Sequence, residues 1–187
     1  IAREAGLEPL ADRLLADPTL VPDAVAGEFL GESVADAAAA LDGARHILIE
    51  RAAEDAELVG AVRAKFWADG AVRAAPFSDE AAGSAAAQKF RDYFDFSEPL
   101  EEMPSHRVLA VLRGEKEQAL TLTFDGGEDE VYQAMVAQSL GIDLSAPGAA
   151  TPWLATTVRF AWRVKLMVSA AVDARMRLRQ RAEEDAV

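Results

Sequence analysis

Few residues in this sequence are of the types that perform chemistry. The two histidines, His46 and His106, lie far apart along the chain, and we interpret both as structural. Cysteine is absent, which excludes disulfides, thiolate metal sites and cysteine nucleophiles. The sequence also lacks a phosphate-binding loop, a dinucleotide-binding glycine motif and a nucleophile elbow. We therefore expect no catalytic residue, no metal site and no cofactor.

Acidic side chains are abundant, but the paired ones are adjacent along the chain, as at Glu101-Glu102 and Glu183-Glu184-Asp185. Neighbouring side chains point apart on a helix, whereas catalytic dyads and two-metal sites need carboxylates that converge in a pocket. We interpret these acids as solvated faces. A stand-alone enzyme would need clustered acids or histidines, so we expect a protein that is not an enzyme and has no small-molecule substrate.

The stretch from Lys89 to Phe96 (KFRDYFDF) mixes basic and aromatic side chains. Such a mixture can stack bases and bind phosphate. The alternative, which we favour, is that Phe90, Phe94 and Phe96 enter the core. The candidates for nucleic-acid contact share a positive charge and lie in or just after this stretch: Lys89, Arg91, Arg107, Arg113 and Lys116. Binding requires these five to converge on one exposed face, and interspersed acids would argue against it.

The charge of the chain is strongly acidic and unevenly distributed. The net charge is −13, and residues 1–60 alone hold thirteen acidic and four basic side chains. The stretch from Arg159 to Arg181 instead carries seven basic side chains and one acid. Because affinity for nucleic acid comes from Lys and Arg that release counterions, any such contact should be local. The basic side of this late stretch is the second candidate for it, although its last arginines, at 175, 177, 179 and 181, are typical of a solvated helix end.

The elements that must position these side chains are mainly helical. Apolar residues make up 51% of the chain, and alanine, which has the highest helix propensity, dominates them. Apolar spacing, caps and breakers predict helices over 4–16, 22–30, 34–54 with a break at Gly43, 55–69, 89–94, from 105, over 128–140 and from 151 for more than 30 residues. Alternation predicts two strands, 71–77 and 118–124. We expect Trp153, Phe160 and Trp162 to anchor packing at the start of the long helix.

Two features of the sequence bear on the location of the protein. No run approaches the ~20 apolar residues that a membrane span needs, and no signal-peptide pattern is present. We therefore expect a cytoplasmic protein without membrane contact.

Four stretches of the chain together resemble the Tex family of bacterial transcription accessory proteins. They are IAREAGLEPL (1–10), ALDGARHILIERAAEDAE (40–57), KFRDYFDFSEPLEEMPSHRVLAVLRGEKE (89–117) and PWLATTVRFAWRVKL (152–166). The resemblance covers nearly the whole chain. The third stretch is the most specific, because a match of this length is unlikely to occur by chance.

The resemblance implies an internal region that precedes the RNase H-like (YqgF-type) domain of the family. It implies helix-turn-helix-like elements that lead into a long central helix. Tex proteins are regarded as non-enzymatic, and their RNA binding is credited largely to an OB-fold domain near the carboxyl terminus, which we expect to be absent here. The partners implied are RNA or DNA, bound by the full-length protein, and proteins of the transcription machinery.

A helix-turn-helix that reads DNA places basic and amide side chains in the major groove. The helices predicted between residues 22 and 69 are acidic, so we interpret them as structural. We expect a mainly α fold: a helical array with helix-turn-helix-like elements, a two-stranded β element and a long C-terminal helix. The expected subdomains are 1–70, 71–146 and 150–187. The leading hypothesis is a helical scaffold segment of a Tex-like protein; the alternative is that the segment itself contacts RNA or DNA through Lys89–Lys116.

Overall fold

The computed structural model describes residues 1–186 and is mainly α. Its helices are α1 (Glu8–Ala16), α2 (Pro22–Ala26), α3 (Ala37–Glu54), α4 (Ala56–Asp69), α5 (Asp79–Ala82), α6 (Ser105–Lys116), α7 (Asp129–Leu140), α8 (Thr151–Phe160) and α9 (Met167–Asp185). A π-helical segment, Ala161–Leu166, joins α8 to α9, so residues 151–185 form one long helix. Three 3-10 turns complete the helical structure: Gly27–Phe29, Gln88–Tyr93 and Leu100–Glu102. The predicted fold class and the predicted long C-terminal helix are confirmed.

A three-stranded antiparallel sheet stands where the sequence predicts two strands. Its strands are β1 (Ala71–Pro76), β2 (Phe96–Pro99) and β3 (Leu120–Asp125), in the order β2-β1-β3. Arg73 in the central strand lies opposite Ser97 on one side and Thr123 on the other. The four residues of β2 are too short to show alternation, and their pairing with β1 is a tertiary effect that local pattern does not contain.

Helix α3 runs without interruption through Gly43, where the sequence predicts a break. The helix begins after Asp36, whose carboxylate accepts a hydrogen bond from Ala39 N at 2.8 Å. A Cβ at Gly43 would lie 2.3 Å from Cδ1 of Leu7, which is buried. The glycine therefore permits the close approach of Leu7 to the helix, and the predicted break is wrong.

Contacts divide the chain into two compact units, each built from two separate stretches. The first unit comprises Ile1–Gly60 and Glu128–Val168, and the second comprises Ala61–Gly127 with the described chain from Ser169 onward. The division into 1–70, 71–146 and 150–187 stays a prediction.

The core of the first unit is centred on Trp162, which is 1% exposed. Its ring stacks on Tyr132 with the centroids 4.2 Å apart, and its Nε1 donates to Asp129 Oδ1 at 2.8 Å. The aliphatic part of the same core includes Leu10, Leu14, Ile47, Leu48 and Leu154. Trp162 therefore anchors packing as predicted, whereas Trp153 is half-buried and Phe160 is exposed.

The core of the second unit combines the inner face of the sheet with one side of α9. Val72 and Ala74 of β1 are buried, whereas Arg73 and Ala75 are exposed, so the sheet presents one face to the core and leaves the other open. Helix α9 contributes a buried row of small and apolar residues: Ala170, Ala174, Leu178 and Ala182. A spacing of four residues keeps such a row on one side of a helix. The end of the long helix is thus packed along this side.

Across residues 1–186, no helix combines the length and the hydropathy that crossing a membrane would require.

Candidate nucleic-acid interface

Two elements of the second unit carry the five predicted nucleic-acid residues. Lys89 and Arg91 lie on the 3-10 turn Gln88–Tyr93, and the other three lie on α6. The turn is held against α6 by Phe90, which is 4% exposed and lies at the helix beside Gly114. Val108 and Val111 are buried on the same side of α6 as Gly114. The sequence thus folds so that both elements turn their charged side chains outward.

Lys89 and Arg113 converge, but they converge on an acid. Lys89 Nζ lies 2.8 Å from Glu117 Oε1, and Arg113 Nε lies 3.8 Å from Glu117 Oε2. Both basic side chains are exposed, so the pairs are screened by water and contribute little to stability. Their electrostatic effect is nonetheless direct, because the carboxylate cancels charge at the point where a phosphate would have to bind.

Arg107 is paired at the other end of α6. Its Nη1 donates to Glu98 Oε1 at 2.8 Å, and the Glu98 side chain is only 16% exposed. A mostly buried carboxylate needs a cationic partner to offset the loss of its hydration. A phosphate could therefore bind Arg107 only by displacing the Glu98 carboxylate.

Arg91 and Lys116 are the two predicted residues that form no ion pair within residues 1–186. Both are exposed, and they lie on different elements. Acids are thus interspersed among the five cations, which is the arrangement that argues against a phosphate-binding face. The assignment of these five residues to nucleic-acid contact stays a prediction.

The aromatic residues of the same stretch divide between core and surface. Phe90 is buried as predicted, but Phe94 and Phe96 are half-buried, so the prediction that all three enter the core is wrong. Phe96 packs edge-on against Tyr93, with the ring centroids 5.1 Å apart. Phe94 precedes β2, and Phe96 is its first residue, opposite Ala74 of β1.

An open groove on the sheet is lined in part by Phe94 and Phe96. The other lining residues come mainly from the strands: Arg73, Ala74, Ala75, Asp95, Ser97, Thr121 and Thr123. The one cation of the groove, Arg73, is paired with Asp125 at 3.0 Å, and Asp95 adds a second carboxylate. The groove offers aromatic edges and hydroxyls, but its charges do not favour a phosphate.

Three of the four arginines late in the long helix contact other elements of the second unit. Arg175 forms a bidentate ion pair with Glu115, with N–O distances of 2.5 and 2.9 Å, and its guanidinium lies over the Phe124 ring. Arg177 lies over the Trp67 ring at 4.3 Å. Arg181 donates to the backbone carbonyl of Met103 at 3.0 Å. The prediction of a solvated ladder is wrong for Arg175 and Arg181, which are half-buried and whose partners lie more than 50 residues away in sequence, whereas Arg177 and Arg179 are exposed.

Three further cations without carboxylate partners lie earlier in the same helix, in the first unit. Arg159, Arg163 and Lys165 are exposed and form no ion pair within residues 1–186. Arg159 donates to Thr156 Oγ1 at 2.9 Å. The chain from 144 to 172 contains neither Asp nor Glu, so no acid of this segment can pair with them. The basic stretch from Arg159 to Arg181 was the second candidate for nucleic-acid contact, and in these three residues its positive charge is not neutralised by a carboxylate.

Arg45 lies next to these cations and is fixed in place. Its Nε donates to Thr157 Oγ1 at 2.9 Å, its Nη2 donates to the Trp153 carbonyl at 3.2 Å, and the guanidinium lies over the Trp153 ring. Burial lowers the pKa of Arg45; Asp42 opposes this effect and the positive charge of Arg159 adds to it. Local sequence pattern cannot indicate this cluster, because Arg45 lies over 100 residues away from Trp153 and Thr157.

Metal-binding chemistry finds no support among residues 1–186, where no group of three or more His, Cys, Asp or Glu side chains could hold an ion. His46 lies 3.5 Å from Glu50, one turn along α3, in an exposed pair. His106 lines a shallow depression with Leu109, Ala110 and Arg113.

Comparison with known proteins gives a consistent result. A family model described as Tex central region-like matches residues 17–187. The chain is 40% identical to Transcriptional accessory protein Tex of Neisseria gonorrhoeae, 42% identical to Protein tex of Bordetella pertussis and 41% identical to Protein YhgF of Escherichia coli. Each comparison takes in the whole of this chain, which spans 25% of the length of each relative.

Proposed function

The chain belongs to the Tex central region-like family, and we propose that it is a helical scaffold segment of a transcription accessory protein. The protein as a whole binds nucleic acid, RNA in particular, through regions other than this segment. The segment holds those regions in place and meets proteins of the transcription machinery. It is not an enzyme, and it works in the cytoplasm.

One observation carries this proposal: three of the five cations predicted to bind nucleic acid are already paired with acids. Lys89 and Arg113 share Glu117, and Arg107 is held by Glu98. A phosphate would have to displace these carboxylates, and in the case of Glu98 it would leave a mostly buried charge uncompensated. The remaining pair, Arg91 and Lys116, supplies two charges, whereas affinity for nucleic acid grows with the number of phosphates neutralised.

The charge of the helix-turn-helix-like region supports the same proposal. Residues 22–69, which include α2, α3 and α4, contain ten acidic and four basic side chains. A recognition helix must approach two phosphate backbones to reach the major groove. An acidic helix is repelled there, so these helices support the structure of the segment.

The alternative is that the segment itself contacts RNA or DNA through the stretch Lys89–Lys116. The exposure of Arg91 and Lys116, neither of which forms an ion pair within residues 1–186, favours it. The two proposals differ in a single measurable quantity, the affinity of this chain for nucleic acid.

The experiment is a fluorescence-anisotropy titration of labelled single-stranded RNA and duplex DNA with this chain at low and moderate salt. We expect no anisotropy change up to about 10⁻⁴ M protein, the weak end of non-specific binding. The full-length Neisseria gonorrhoeae Tex, titrated in parallel, is expected to bind.

Salt-sensitive binding by this chain that disappears in Arg91→Ala/Lys116→Ala would overturn the scaffold proposal in favour of the alternative. This double variant removes the two unpaired cations and leaves the pairs with Glu98 and Glu117 intact. Arg179→Ala is the matched control, since Arg179 is an exposed cation outside the stretch.

A further inference from the structure

A row of exposed apolar side chains runs along the long helix within the first unit. Phe160, Val164 and Val168 are 43%, 59% and 52% exposed. Their spacing of four residues places them on adjacent turns of one side of the helix. Single exposed apolar residues are ordinary, but a contiguous row is typical of a surface that binds another macromolecule.

Cations flank this row, and the helix carries no Asp or Glu from Thr151 to Val172. Arg159 and Arg163 precede and follow Phe160, and Lys165 follows Val164. Within residues 1–186 these three side chains form no ion pair, unlike Lys89, Arg107 and Arg113. The row and its cations together define the basic-apolar face, residues 159–168.

The helix that carries this face is firmly held on its other side. Trp162 and Leu166 are 1% and 2% exposed and pack into the core of the first unit. Arg45 lies 5.7 Å from the centre of the Phe160 ring, and this contact fixes one side of that ring. The face is therefore preorganised, which reduces the entropy that a partner must lose to bind it.

We propose that the basic-apolar face binds an amphipathic helix of a partner protein, one that carries acidic side chains beside its apolar row. Apolar residues at every turn are the anchors by which one helix binds along another. Acidic side chains on the partner would complement the three cations and increase the association rate and specificity. A nucleic-acid backbone fits less well, because it would pair with the cations and leave the Phe160–Val168 row uncovered.

The test uses a designed helical peptide of about five turns with leucines along one side and glutamates beside them. A fluorescein label reports its binding to the full 187-residue chain by anisotropy. We expect a dissociation constant on the order of micromolar that rises with salt. The matched peptide with lysine in place of every glutamate is expected to bind at least about tenfold more weakly, because like charges then face each other.

Two variants of the chain locate the binding. Val164→Gln/Val168→Gln removes apolar surface and is expected to weaken binding of the acidic peptide by about tenfold or more. Arg163→Ala/Lys165→Ala is expected to weaken it less and to flatten its salt dependence. Val21→Gln is the matched control, because Val21 is 54% exposed and lies in the first unit outside the face. Circular dichroism verifies that each variant is folded.

Several results would overturn the proposal. One is the absence of peptide binding up to about 1 mM, a range that includes weak complexes; another is equal affinity for both peptides. Binding unchanged in both double variants would place the site elsewhere. RNA binding lost in Arg163→Ala/Lys165→Ala without peptide binding would make the face a nucleic-acid site. A dimer in sedimentation that Val164→Gln/Val168→Gln dissociates would make a second copy the occupant.

Discussion

Arg45 and Arg107 illustrate how arginine is used at the scale of single residues. Arg45 donates to Thr157 and to the Trp153 carbonyl, and Arg107 neutralises the mostly buried carboxylate of Glu98. Each guanidinium has several donors in a fixed plane, so it can satisfy two or more groups at once. The function of a basic residue in this chain is therefore decided by its hydrogen-bond partners more than by its charge.

The burial of the tryptophans leads to a first prediction. We expect Trp162→Ala to lower the free energy of unfolding by about 3–5 kcal/mol, since it empties a core site and leaves Asp129 without its donor. Trp153 is half-buried, so Trp153→Ala should cost only about 1–2 kcal/mol, from lost packing and the lost contact with Arg45. Urea denaturation measures both, and equal costs would contradict the burial described.

Asp55 gives a prediction on pH. The hydroxyl of Ser139, at 2.5 Å, and then the backbone N–H of Leu58 hold the pKa of the Asp55 carboxyl below its ordinary value. Because the pKa is lowered in the folded state, the stabilisation is present above the unfolded-state pKa and is lost as the pH falls through the folded-state pKa. Ser139→Ala should raise the pKa of Asp55 towards its ordinary value, as measured by carboxyl ¹³C NMR.

Asp143 serves as the matched control for that measurement. The hydroxyl of Ser145 lowers its pKa in the same way, so Ser145→Ala should shift Asp143 and leave Asp55 unchanged. A shift of Asp55 in both variants would show a global change in the chain and not the loss of one hydrogen bond.

At the scale of elements, helix α6 depends on a close approach at Gly114. An ideal Cβ there would lie 2.4 Å from Leu120 Cδ1 and 3.2 Å from Phe90 Cδ1. The missing side chain thus lets β3 and the 3-10 turn Gln88–Tyr93 pack against the same point of the helix. Through this contact Lys89 comes within reach of Glu117.

Two glycine substitutions should therefore have opposite effects. Gly114→Ala gains about 1 kcal/mol in helix propensity, but overpacking should cost more than it gains, for a net destabilisation of about 1–2 kcal/mol. Gly60→Ala in α4 has no atom within 4 Å of the new Cβ, so it should stabilise by about 0.5–1 kcal/mol. Thermal denaturation measures the change in stability for each variant. A change of the same sign in both variants would contradict the packing at Gly114.

Elements with local signals could be predicted from the sequence, and those that arise from packing could not. Asp55 precedes α4 and accepts hydrogen bonds from Glu57 and Leu58, as a capping residue should. Strand β2 and the uninterrupted passage of α3 through Gly43 depend instead on partners from other parts of the chain, Ala71–Ala74 and Leu7. Local pattern contains no information on such partners.

The candidate site was predictable to the same extent. Lys89, Arg91 and Arg113 are exposed, as charged side chains usually are. The sequence could not predict that Glu117 lies between Lys89 and Arg113, because that requires the turn at Phe90 to pack on α6. Nor could it separate the ion-paired Arg175 from the unpaired cations near Phe160, since its partner Glu115 is 60 residues away.

At the scale of the whole molecule, the net charge of −13 and the ion pairs on α6 act in the same direction. Both reduce the attraction for a polyanion, the first at long range and the second at the contact itself. Ion pairing and net charge can be separated as causes of weak RNA affinity. The comparison needs one substitution that breaks the ion pairs and a control substitution that makes the same change in net charge elsewhere.

Glu117→Gln is that substitution. It frees Lys89 and Arg113 together, so we expect weak binding of single-stranded RNA to appear at low salt, with a dissociation constant of about 10⁻⁴ M or tighter. Glu102→Gln makes the same change in net charge at an exposed residue that forms no ion pair within residues 1–186, and it should leave RNA binding undetectable. Equal affinities in anisotropy would mean that net charge, and not pairing, limits the contact.

The three tryptophans are distributed so that each unit carries its own optical reporter. Trp153 and Trp162 belong to the first unit, and Trp67, beside Arg177 and Arg181, belongs to the second. In Trp67→Phe the intrinsic emission comes from the first unit alone, and in Trp153→Phe/Trp162→Phe it comes from the second. Denaturation followed by emission in these two variants therefore resolves whether the units melt together or one after the other, without any added dye.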